Sequence, residues 1–194
     1  MDTTREMIFG GSFLLAPLGS QPQFTPEELS EDARAIGRAA RDYVEGEVLP
    51  RDADIDRLDL ELSKELLRKA GELGLLSLEI PEAYEGMDLD KISGLLVLEE
   101  LGRQASFSVT YSAHTGIGTL PIVYFGNEAQ KAKYLPKLGS GEWAAAYALT
   151  EPGAGSDAMN SKTVATLDGD AWVLNGSKMW ITNAEPFKIG RAHV

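Results

Sequence analysis

Cysteine is absent, which removes disulfides, thiolate nucleophiles and cysteine metal sites from consideration. Histidine is almost as scarce: only His114 and His193 occur, so a histidine-rich metal centre is excluded and no metal ligands are expected. Basic residues are outnumbered, 18 lysines and arginines against 30 acidic residues, for a formal charge of −12. That balance disfavours nucleic acid or an anionic membrane as partner and reads as a solubility feature. No stretch approaches the roughly 18 consecutive apolar residues of a membrane span. The apolar patch at 7–18 is broken by Gly10 and Gly11, follows acidic Asp2 and lacks a basic cluster ahead of it, so it does not read as a signal peptide. A bacterial cytoplasm is the location these absences imply.

What is present is ordinary for a globular chain: 194 residues, 43% hydrophobic and 25% charged, enough for one or two domains with a real core. Residues 1–25 read as an irregular arm anchored by Phe13, Leu14 and Leu15. Thr25 followed by Pro26 opens a helical pattern that runs to Leu49, with Ser30 as a second possible cap and Pro50 as its end. A second helix is predicted over 60–73, stopped by Gly74. A third follows Asp88 and is apolar nearly all round, so it should be buried on more than one side. Residues 105–125 form a further helical run interrupted at Pro121, and Asn127 caps the last helix, which ends near Gly139 and Gly141.

The hydrophobic period then changes from helical to alternating. Residues 144–150, 163–167, 171–174 and 178–183 read as strands, with Asp168-Gly169-Asp170 and Asn175-Gly176 as hairpin signals. Helices first and strands second give an α+β order. The predicted layout is an arm (1–25), an all-α N-terminal domain (26–140), the start of an antiparallel β-barrel-like middle domain (141–187) and a tail (188–194).

Two stretches carry the chemistry. Residues 146–157, AYALTEPGAGSD, run from a strand into a loop whose glycines permit close backbone approach and leave amides free for an electron-rich ligand. Residues 178–183, KMWITN, place Trp180 and Thr182 on one face if the segment is a strand. Glu151 and Asp157 could be read as a paired-carboxylate site, but beside a glycine loop carboxylates more simply accept backbone amides and fix the turn. His114, on a helix of small residues, reads as a satisfied core or pocket-lining histidine.

Together these stretches resemble the acyl-CoA dehydrogenase family of flavoenzymes. The matching positions are Tyr147, Thr150, Glu151, Pro152, Gly153, Gly155, Ser156 and Asp157, then Asn175, Gly176, Lys178, Trp180, Ile181, Thr182 and Asn183. The resemblance runs from about Gly11 to Asn183 and implies FAD as cofactor. By it, Tyr147, Leu149, Thr150, Gly155, Ser156, Trp180, Ile181 and Thr182 would contact the flavin. Ser156 would also touch the CoA arm of an acyl-CoA substrate. Ala113 and Gly116 would line the far end of the acyl pocket, where small residues leave room for a long chain. The segments GGSFLL, AHTGIGTLPIVYFG and KYLPKLGSGEW resemble the very-long-chain branch.

The implied reaction is fatty-acid β-oxidation chemistry, acyl-CoA to trans-2-enoyl-CoA, with electrons passed to an electron-transfer flavoprotein from a dimer or tetramer. The family's catalytic Glu belongs to a C-terminal helical domain, so no catalytic base is assigned here and the chain by itself is expected to be inactive. The tail KIGRAHV departs from the family and can be read as a translated sequencing adapter, which makes residues 188–194 an expected non-native end. An acyl-CoA oxidase, a flavin monooxygenase on the same scaffold, or a non-catalytic helical interaction domain are the alternatives.

Overall fold

A computed structural model describes residues 25–184, together with residues 14, 15 and 17. The remainder of the predicted arm, including Phe13, and the predicted tail lie outside the described residues. Leu14 and Leu15 are exposed, 74% and 92%, so these two do not anchor an arm as expected.

The first helical segments are set by local capping. The Thr25 N–H donates to Glu28 Oε2 at 3.2 Å over the short turn Pro26–Glu28. The long helix α1 (Glu31–Tyr43) starts at Ser30, whose hydroxyl accepts from the Ala33 N–H at 3.0 Å. Pro50 does not end this run. A π-helical turn, Val44–Val48, and a 3-10 turn, Leu49–Arg51, carry the chain through it into the short helix α2 (Asp52–Asp56). Proline is tolerated there because it sits at the start of a new turn, where its missing N–H has no intrahelical partner to lose.

Helix α3 (Leu60–Glu72) is capped by Asp59, and Gly74 takes a φ of 76° just beyond its end. Helix α4 (Lys91–Leu101) begins at Asp90, whose Oδ1 accepts from the Ser93 N–H at 3.1 Å, and not at Asp88 as expected. Asp88 is left-handed, φ 51°, and its N–H closes the preceding loop onto the Ile80 carbonyl. It is spent on that turn and cannot also cap.

Helix α5 (Ala105–Ser112) continues through a second π-helical turn, Ala113–Thr119, into α6 (Leu120–Phe125). Helix α7 (Glu128–Gly139) is capped by Asn127 as expected, through a reciprocal capping box with Gln130.

These helices enclose one core. Leu66, Leu67, Val97, Leu101, Phe107 and Tyr111 are almost entirely buried. Each such side chain contributes roughly 1.5–3 kcal/mol of transfer free energy. Buried phenols tie helices to neighbours: Tyr43 donates to the Leu66 carbonyl at 2.7 Å and Tyr111 to that of Leu75. Helix α1 packs mainly on α4. The all-round apolar α4 is not wholly covered, since Leu95 stays 62% exposed beside a cavity shared with α5.

The β region is smaller than the sequence suggests. One antiparallel hairpin forms, β1 (Val164–Asp168) with β2 (Ala171–Asn175), in the register Val164 to Asn175 through Asp168 to Ala171. Gly169, φ 63°, supplies the positive φ that a two-residue hairpin turn demands. Every residue of both strands is exposed, so the alternation has no buried face here.

Asn175-Gly176 is not a second hairpin. At Gly176 a side chain would strike the Thr163 hydroxyl at 2.3 Å, so the chain there lies against the start of β1. Residues 144–150 and 178–183 are not strands either. Neither has a neighbour completing a ladder among the described residues, and left-handed Trp180 (φ 59°) and Asn183 (φ 68°) break the pleat. The expected shared face of Trp180 and Thr182 rested on that pleat. The overall order, a helical domain and then the start of an antiparallel sheet, is the α+β class expected.

Candidate functional site

The two stretches singled out by sequence meet in space. The Met179 N–H donates to the Thr150 carbonyl at 2.9 Å, joining the KMWITN segment to the head of the glycine loop. The loop is pinched at its base, where Glu151 and Ala154 exchange backbone bonds of 3.0 and 3.1 Å around Pro152-Gly153. Gly153 within the pinch and Gly155 just beyond it both have open space where a side chain would stand.

The Glu151 side chain holds this shape. Its buried carboxylate accepts from Lys178 Nζ at 2.8 Å, Ser161 Oγ at 2.6 Å, and the N–H groups of Lys162 and Thr163 at 2.6 and 2.9 Å. The Lys178 ammonium, then the Ser161 and Thr163 bonds and the Lys162 amide, keep this carboxyl far below the usual carboxylate range. It therefore stays ionised and is unsuited to act as a general base. Lys178 also donates to the Leu149 carbonyl at 3.0 Å, which fixes the residue just ahead of the loop. Glu151 is thus loop-shaping, as its sequence context implies, but its partners lie ten or more residues away and not in its own turn.

Around this frame the named side chains are available. Tyr147 and Leu149 are 45% and 42% exposed, Ser156 is exposed, and Thr150, Ile181 and Thr182 are half-buried. The hydroxyls of Thr150, Ser156 and Thr182 have no protein partner among the described residues. Trp180 is 83% exposed.

On the helical side, Gly116 lines a cavity of about 210 Å³ between α4 and the second π-helical turn, walled by Leu78, Leu95, Leu98, Tyr111 and Thr115. Ala113 is buried but is not among the residues lining that cavity.

His114 is fully buried and satisfied. Its Nδ1 accepts from the Ala145 N–H at 2.9 Å, and its Nε2 faces the Leu138 carbonyl at 3.0 Å. An amide can only donate, so the proton sits on Nε2 and the ring is neutral. Burial lowers its pKa from 6.5 to about 4, partly countered by the Leu138 bond. This is the core histidine that the sequence suggests. Asn183 also joins the site: its Nδ2 donates to the carbonyls of Thr110 and Ala145 at 3.0 and 3.1 Å. Nothing in residue type or spacing announces the bonding roles of Lys178 and Asn183, because their partners, the Glu151 carboxylate and backbone carbonyls, are distant in sequence.

The match to known proteins decides the family. Residues 30–142 match the acyl-CoA dehydrogenase N-terminal domain and residues 146–189 its middle domain. The chain belongs to the acyl-CoA dehydrogenase family. A Bacillus subtilis (strain 168) protein named "Probable acyl-CoA dehydrogenase" is 52% identical over 177 residues, 90% of this chain and 30% of that protein. The short-chain specific mitochondrial acyl-CoA dehydrogenase of Mus musculus is 39% identical over 158 residues, 81% of this chain and 38% of that enzyme. A crystal structure of an acyl-CoA dehydrogenase complexed with FAD from Bacillus anthracis superposes with a TM-score of 0.85 at 49% identity, covering 90% of this chain and 31% of that one. The chain therefore spans about a third of the length of the relatives it matches. Family members use FAD, and the residues described above fit such a group: hydroxyls without a partner among the described residues, glycines with open space beside them and an exposed indole.

Among the described residues no helix is long and apolar enough to cross a membrane, and no cluster of acidic or histidine side chains could hold a metal ion.

Proposed function

We propose that this chain carries the flavin-facing segments of an FAD-dependent acyl-CoA dehydrogenase that converts an acyl-CoA to its trans-2-enoyl thioester. The observation that carries this reading is the glycine loop held by Glu151 and Lys178, with the Thr150, Ser156 and Thr182 hydroxyls beside it unpartnered among the described residues. In this reading Thr150 and Thr182 bond the polar edge of the isoalloxazine, and Gly155 and Ser156 offer backbone and hydroxyl donors along the ribityl chain. Tyr147, Leu149, Trp180 and Ile181 supply the apolar wall.

When bound, FAD accepts the β-hydrogen of the substrate as hydride. The α-proton needs a carboxylate base, and Glu151 is too strongly held in its ionised form to serve. By family resemblance that base is a Glu of a C-terminal helical domain, and little turnover is expected from residues 25–184 without it.

Gly116 bears on chain length. A side chain at that position would meet nothing within 4 Å, so the cavity wall is open there, and the long-chain preference rests on family resemblance. The likeness to a short-chain specific enzyme weighs towards shorter substrates. Ala113 is assigned to the same acyl-binding region by family resemblance alone. An electron-transfer flavoprotein as acceptor, a dimeric or tetrameric assembly and a cytoplasmic place in fatty-acid β-oxidation complete the reading.

The test is titration of the chain with FAD, followed by flavin fluorescence and visible absorbance. Saturable binding that is weakened by Thr150→Ala and by Thr182→Ala is expected. Absence of saturable binding, or binding indifferent to both variants, would sink the reading. Adding butyryl-CoA or palmitoyl-CoA to the FAD-loaded chain then distinguishes chain lengths by which thioester perturbs the flavin spectrum.

A further inference from the structure

We propose that His114 and Asn183 are positioning residues for the flavin site: they grip Ala145 from two directions and so set the spacing between residues 145–150 and residues 180–183. The proposal rests on the flavin reading of those two segments, and its geometry stands independently.

Both polar backbone atoms of Ala145 are engaged. Its N–H donates to His114 Nδ1 on the helical side, and its carbonyl accepts from Asn183 Nδ2 at the end of the WITN segment. The same Asn183 amide donates to the Thr110 carbonyl on α5, four residues ahead of His114. One stretch of helix thereby holds the beginning of one flavin segment and the end of the other.

The close approach is prepared by a glycine. A side chain at Gly118, within the second π-helical turn, would stand 2.5 Å from the Ala145 methyl group, so only a glycine lets the segment lie against that turn. Such π-turns inside helices occur frequently at functional sites.

Asn183 is suited twice over. Its backbone is left-handed, φ 68°, a region that asparagine tolerates better than most side chains. Its side chain is 95% buried by the residue's 5% exposure, with Oδ1 unpartnered and both carbonyl contacts made by Nδ2. The donors are therefore what this position uses, and they are kept despite the cost of one unsatisfied acceptor. His114 complements them by accepting the Ala145 N–H.

Two substitutions separate the backbone demand from the donor demand. Asn183→Gly keeps the left-handed conformation without strain and removes both donors. Asn183→Asp keeps the shape and sets carboxylate oxygens against two carbonyls. In the full 194-residue chain, FAD titration and amide hydrogen exchange are measured for wild type, both variants, His114→Gln and His114→Leu.

The expected result is that Asn183→Gly and Asn183→Asp weaken FAD binding by about tenfold, and alter the visible band of the flavin that remains bound. Exchange at 145–150 and 179–183 should quicken together while α1, α3 and α4 keep their protection. His114→Gln, which can still accept the amide proton, should retain more FAD affinity than His114→Leu. FAD affinity within about twofold of wild type in both Asn183 variants, with an unchanged flavin band, overturns the proposal. So does quickened exchange confined to residue 183 or spread evenly through the helices. If the wild-type chain binds no FAD, the flavin reading fails by itself, and the paired or unpaired exchange response decides whether the clamp exists.

Discussion

Acid should destabilise the fold through His114. The imidazole is neutral and fully buried, and its pKa falls from 6.5 to about 4 on folding. Between those values the unfolded chain binds a proton that the folded chain refuses, so stability falls as pH falls through the window from 6.5 towards 4. The full effect is about 3 kcal/mol at about 1.36 kcal/mol per pKa unit. Going from about pH 8 to about pH 5 removes about 2 kcal/mol of it.

The assay is urea unfolding of wild type and of His114→Gln at both pH values. Carboxylates contribute equally to both proteins, so the difference between their acid sensitivities isolates the histidine. Wild type should lose about 2 kcal/mol more than the variant on acidification. The variant should be less stable than wild type at the higher pH, because the ring's two buried partners lose their fitted contacts. Acid sensitivities equal within about 0.5 kcal/mol would refute the reasoning, as would an imidazole nitrogen signal showing a proton on Nδ1 in the folded protein at neutral pH.

Glu151→Gln, which removes the ionised acceptor shared by Lys178, Ser161 and two amides, should weaken FAD binding by about tenfold or more; unchanged affinity in a titration would refute the staple role. Gly71→Ala should destabilise by about 1–3 kcal/mol, because the added methyl would meet the Ser140 carbonyl oxygen at 2.2 Å and force α3 away from the end of α7; a thermal melt within a degree or so of wild type would contradict that contact. Leu66→Ala, at a position with no exposure, should cost about 2–5 kcal/mol in denaturant unfolding.

Much of the helical domain was legible because its cues are local. Ser30, Gly74 and Asn127 act where capping chemistry places them. The errors have a common cause in competition for the same residue. Asp88 lost the cap of α4 to Asp90 because the turn onto Ile80 had already claimed its backbone. Pro50 failed as a terminator because a π-helical turn shifted the hydrogen-bonding pattern ahead of it, and such turns leave no periodic trace in the sequence.

At the site, the two segments could be picked out in the sequence, and the bonds that join them could not. Residues 144–150 have the composition of a strand, yet their backbone is satisfied in part by His114, Asn183 and Lys178. Side chains 29 to 38 residues away leave no mark on local alternation. The loop's shape depends likewise on Lys178, 27 residues from Glu151.

That staple also divides labour along the chain. Ser161, Lys162 and Thr163 lead into the hairpin and Lys178 follows it, and all four converge on one carboxylate. The hairpin is thus a closed excursion whose two ends are fixed independently of its tip. Its turn at Gly169 can be lengthened, shortened or replaced without moving the glycine loop, so this stretch could accumulate insertions while the loop beside it stayed unaltered.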